Sequence, residues 1–214
     1  MKRTSICFII IFLLSINKIY GIVKDNNNKT EGHIIMNDGR EYRGHIKMPK
    51  IYTKLLQITL HDNNEQIEVP AQDVKVLDVW RPLHADKVHR FVYRPYKAKD
   101  LFSGMKEKTS KPIWMCIEAS GDNVVFFSSG HYYSMDMDGT LVITSEKGFI
   151  TLYGLKRGKT DVTLIGPIKF GTKRLRKALM KFLADDPVLC TKLKEKEIKP
   201  SDWNIIANQY NPAR

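Results

Sequence analysis

Residues 81–111 carry the densest chemistry this sequence offers. Nine lysines and arginines (Arg81, Lys87, Arg90, Arg94, Lys97, Lys99, Lys106, Lys108 and Lys111) stand there against Asp86, Asp100 and Glu107. Phe91, Tyr93, Tyr96 and Phe102 are interleaved with them. Cations beside aromatic rings can clamp a phosphate chain, or stack on bases or sugars. The candidate binding residues are therefore Arg81, Arg90, Tyr93, Arg94, Tyr96, Lys97 and Lys99. The same composition also fits a strand whose aromatics face a core and whose charges face water, and residues 89–93 alternate in that way.

Other chemistry has little to build on. The chain contains no G-x-S-x-G elbow, no H-E-x-x-H and no glycine-rich phosphate loop. Asp185 and Asp186 are adjacent carboxylates, but at a helix junction they read as caps, and neighbouring helical side chains diverge. A glycosidase-type carboxylate pair is defined by spatial separation, which sequence does not give. Of the six histidines only His84 and His89 are close along the chain, and they fall in an expected loop, so no zinc signature is present. Outside the N-terminal apolar run the cysteines are Cys116 and Cys190; a disulfide and two buried thiols both remain open, and there is no CxxC motif. The expectation is a non-catalytic chain with no cofactor and no metal.

The elements that would position such residues divide into a β-rich body and a helical tail. In 32–80, Ile34 and Met36, then Tyr42, Ile46 and Met48, then Leu56, Ile58 and Leu60, then Ile67 and Val69 alternate with polar neighbours, and 74–79 closes five short strands. Asp38-Gly39 supplies the first hairpin turn, and Gly44 is read as permitting a sharp strand bend. This order, with its DG turn and closing apolar run, resembles SH3-like and Sm-like small barrels; an ordinary bent antiparallel sheet is the alternative. From Ile113 strands resume at 113–118, 124–127, 131–135, 140–144 and 149–155, a meander that packs on or extends the first sheet. Its turns include Asp138-Gly139 and Lys147-Gly148.

The period then changes to that of a helix. Thr172 can cap a segment with Leu175, Leu179, Phe182 and Leu183 on one face and Lys173, Arg174, Arg176, Lys177 and Lys181 over much of the rest. Asp186-Pro187 starts a second helix as N-cap and N1, and Ser201 is expected to cap a third, with Trp203, Ile205, Ile206 and Tyr210 as its apolar positions. The fold class is mainly β with C-terminal α (α+β). The expected units are 1–21, a signal peptide; 22–80, a barrel or bent sheet; 81–111, a basic aromatic connecting segment; 112–168, an antiparallel meander; and 169–214, a helical segment.

Phe170, Leu175, the run 178–189, Lys196, Ile205, Ile206, Tyr210 and Asn211 resemble the C-terminal end of uncharacterised exported proteins from Bacteroidota, in which a β-rich body opening on a G-x-I … DG … G-x-I hairpin ends in short helices. Such proteins often place a cysteine before the proline, where this chain has Asp186. The resemblance implies an envelope location, periplasmic or surface, and brings no activity with it.

Lys2 and Arg3 precede a nearly unbroken apolar run at 6–14, too short to span a bilayer and shaped like a secretory signal. Cleavage is expected near Gly21; an uncleaved N-terminal anchor is the alternative. Removing Lys2, Arg3 and Lys18 lowers the formal charge from +12 to +9, and a basic surface favours anionic partners. The function expected is a binding or scaffold module of the Gram-negative envelope, contacting another protein or an anionic glycan. The alternative is an electrostatic binder of anionic membrane or nucleic acid, through 81–111 and the helix at 172–184. Export argues against intracellular nucleic acid.

Overall fold

The structure, a computed structural model, describes residues 29–98, 108–146, 149–168 and 171–212. The expected signal at 1–21, Lys99, Phe170 and the Lys147-Gly148 turn lie outside the described residues. The five strands expected first form in order: β1 (Glu31–Met36), β2 (Glu41–Ile46), β3 (Leu55–Leu60), β4 (Gln66–Pro70) and β5 (Val74–Arg81). Gly39, at φ +89°, makes the β1–β2 turn that Asp38-Gly39 announces. Alternation decides which side is buried: Ile34, Met36, Ile46, Leu56, Ile58, Val69 and Leu77 all point into one core.

The remaining strands are β6 (His84–Arg94), β7 (Tyr96–Ala98), β8 (Lys108–Thr109), β9 (Ile113–Ser120), β10 (Val124–Ser129), β11 (Tyr132–Met135), β12 (Leu141–Thr144), β13 (Thr151–Lys156) and β14 (Val162–Pro167). Among the described residues, twelve strands join in one open sheet, ordered β4-β3-β2-β1-β5-β6-β9-β10-β13-β14-β7-β8. Where a barrel would close on itself, β5 instead pairs with β6, so the open sheet is the form adopted. The meander extends that sheet through the β6–β9 ladder. His84 and His89, expected in a loop, lie on β6, whose Phe91 and Val92 are buried on opposite faces.

β11 and β12 leave the sheet as a separate hairpin. They cover the first core with Tyr133 and Met135, and Phe91 meets Tyr133 edge to face at 5.0 Å between ring centres. The Tyr133 hydroxyl donates to the Trp114 carbonyl at 2.6 Å, and the Arg81 guanidinium donates to the Met135 carbonyl at 2.7 Å.

Three helices complete the fold: α1 (Gly171–Phe182), α2 (Pro187–Lys194) and α3 (Trp203–Gln209). Leu175, Leu179, Leu183, Leu189, Leu193 and Ile206 bury against Phe126, Leu152 and Ile165 of the sheet. Asp186 caps α2 as expected, accepting from the Leu189 amide at 2.9 Å. At α3 the N-cap is Asp202 instead of Ser201, without a side-chain capping bond, and Ile205 is exposed. This short helix is held by tertiary packing of Ile206, Ala207 and Tyr210, which overrides the capping preference. No helix among the described residues is long and apolar enough to cross a membrane.

Candidate functional site

Residues 50–54 connect β2 to β3 and build one wall of the site. The loop is tied down from several directions: the Trp114 amide donates to the Ile51 carbonyl (3.0 Å), the Trp114 indole to the Thr53 carbonyl (2.9 Å), and the Ala71 amide to the Lys54 carbonyl (2.8 Å). Trp114 is itself fully buried, so the loop hangs from the core. On this fixed loop Tyr52 is 61% exposed.

Opposite stand Tyr93, at the end of β6, and Tyr96, on β7. Tyr93 rests on Trp114 with ring centres 5.3 Å apart, and Tyr96 meets Tyr153 edge to face at 5.0 Å. Tyr153 is anchored in turn by a 3.0 Å hydrogen bond between its hydroxyl and Ser129. Ser110 receives the Tyr96 amide at 3.0 Å and fixes the strand there. Burial raises the Tyr93 hydroxyl above its ordinary pKa. It does the same at Tyr96, reinforced by nearby Tyr52 and opposed by Ser110. Both are neutral hydroxyls at physiological pH. Together with Lys54, Gln72 and Lys111, the three tyrosines line a cleft of ≈ 760 Å³. Rings held from behind, with polar and cationic groups beside them, can stack on a planar or sugar-like face and pair with its anions.

The other residues singled out by sequence do not converge on this cleft. Arg81 fastens the β11–β12 hairpin. Arg90 forks onto Asp78 with contacts of 2.7 and 2.8 Å, which neutralises a carboxylate that is only 10% exposed. Arg94 is exposed at the end of β6. Lys97 pairs with Asp161 at 2.8 Å and lines a second cleft of ≈ 520 Å³ with Lys156, Lys159 and Lys181, over Leu164 and Phe182. Lys156 also contacts Asp185 at 2.6 Å. Sequence reasoning missed Tyr52 and Lys54; the signal was an aromatic just after Pro49, outside any strand alternation.

Neither thiol is placed for chemistry. Cys116 is buried and Cys190 half-buried, both are unpaired, and burial raises the pKa of each. Asp185 and Asp186 are structural. Asp185 accepts from Lys156 and from the Tyr210 hydroxyl, and Asp186 accepts from the Leu189 and Asn211 amides.

A further cluster lies on the sheet face turned away from the first core. Glu31 of β1 is the direct partner of His45 on β2, and the His61 amide donates to the Arg43 carbonyl, continuing the β2–β3 ladder. The three side chains gather there, with His45 Nδ1 3.0 Å and His61 Nε2 2.7 Å from the two Glu31 oxygens. They come from two strands and from the turn that follows β3, so no local spacing announced them. The hairpin register that sets Gly32 against Gly44 would have placed Glu31 opposite His45. No protein-family model, curated protein or solved structure matches the chain.

Proposed function

We propose that the chain is an exported, non-catalytic binding module of the Gram-negative cell envelope, and that the Tyr52–Tyr93–Tyr96 cleft takes an anionic glycan. The observation that carries this reading is Tyr52: a largely exposed aromatic on a loop hydrogen-bonded into the core. A solvent-facing ring carried on a fixed backbone leaves less loop entropy to be lost on binding. Lys54 and Lys111 supply the preference for negative charge. Export rests on the signal-like start of the sequence and on the resemblance of its tail to exported Bacteroidota proteins. Tyr52→Ala is expected to weaken binding of a uronic-acid oligosaccharide about tenfold, roughly the loss of one stacked ring, while the thermal melt stays unchanged. Unaltered affinity in that variant would contradict the assignment.

A second reading has its own support. Lys97 of the 81–111 segment and Lys181 of α1 share the second cleft with Lys156 and Lys159. Both basic elements of the electrostatic alternative thus meet at one place. Binding of anionic vesicles that Lys97→Ala and Lys181→Ala abolish, with Tyr52→Ala silent, would favour it.

A further inference from the structure

We propose that Glu31, His45 and His61 form a zinc-type divalent metal site, contrary to the metal-free expectation drawn from sequence. Two imidazoles and a carboxylate are a donor set that Zn²⁺ takes in tetrahedral geometry, leaving a fourth position for water or an added ligand. At bond lengths near 2.0–2.1 Å, tetrahedral donors lie about 3.4 Å apart. In this cluster one donor atom from each residue lies within 4.8 Å of the others, and the two closest approaches are 3.0 and 2.7 Å. Small side-chain rotations therefore suffice to admit the ion.

A plain hydrogen-bonded triad would give similar distances, and His45 distinguishes the two. Its Nδ1 is shielded from solvent and stands 3.0 Å from Glu31 Oε1, yet makes no aligned hydrogen bond. A buried imidazole nitrogen facing a carboxylate without sharing a proton with it is poorly satisfied as a hydrogen-bonding group. A metal between them would satisfy both. The strand ladder fixes the Glu31 and His45 backbones, and the imidazoles of His45 and His61 pack edge to face at 4.9 Å. Such support is what a preorganised site needs. His61 is 48% exposed, so the open side of the cluster faces water.

The test is titration of the chelator-treated full chain with Zn²⁺ by calorimetry, and with Co²⁺ by visible absorption. A single equivalent is expected, with the intense ligand-field bands of four-coordinate Co²⁺. His61→Ala, at an exposed position that the fold tolerates, should lower Zn²⁺ affinity on the order of 100-fold, while His131→Ala, at a distant histidine, should not. Absence of stoichiometric binding to the wild type would overturn the assignment, as would wild-type affinity in His61→Ala.

Discussion

Glu118 shows how a single residue escapes a pattern-based reading. In sequence it belongs to an even alternation with Trp114 and Cys116. In the structure the β9–β10 register shifts, pairing Phe126 with Ala119 and Phe127 with Ile117, and Glu118 has no partner across the bulge. Its carboxylate turns inward, where Ser128 donates to it. Burial raises its pKa above 4.5, against the opposing effects of Ser128 and of His89. A carboxyl whose folded pKa lies above its unfolded value contributes stability that is full below that unfolded value and is lost as pH rises through the folded one. Glu118→Gln should therefore match the wild type in thermal melts below pH 4.5 and exceed it in mildly alkaline buffer. Equal melting temperatures at both ends would refute the buried carboxylate. Asp186 was legible where Glu118 was not, because Asp-Pro at a helix start states its role locally, whereas a bulge depends on the neighbouring strand.

At the scale of elements, strand order and facing were readable wherever apolar residues alternate, as in β1 to β5. The cause assigned to Gly44 changes. A Cβ at Gly44 would stand 2.0 Å from the Thr59 carbonyl oxygen, and its partner Gly32 would drive a Cβ to 2.7 Å from Ile46. Backbone proximity, more than strand bending, demands glycine at 44. Gly44→Ala is expected to cost about 3 kcal/mol or more, since a backbone atom has no rotamer to escape into, and chemical denaturation would measure it. The departure of β11 and β12 from the sheet could not be read in advance. Their four-residue alternation is that of any short strand, and what draws them over the first core is the Tyr133 and Arg81 bonding to distant carbonyls. The β6 strand was half visible, its 89–93 alternation showing while the charged residues before it obscured its start.

Across the whole molecule, the continuous ladder β5-β6-β9-β10 explains why the basic aromatic segment does not form one site. That segment is divided among β5, β6 and β7, which lie at different places in the sheet, so Arg81, Arg90 and Lys97 meet different partners. Among its described residues, Tyr93 and Tyr96 from its middle and Lys111 from its end reach a common cleft, and Tyr52 comes to them from a loop about forty residues before Tyr93. That convergence is tertiary and left no mark on local composition. The measurement that tests it most directly is calorimetric titration of the purified chain with a uronic-acid oligosaccharide and with its neutral counterpart, each at low and high salt. Saturable binding of the acidic sugar that weakens but persists in high salt is predicted, because ring stacking survives when charge pairing is screened. No binding, or binding abolished by salt and indifferent to which polyanion is offered, would contradict an aromatic glycan cleft.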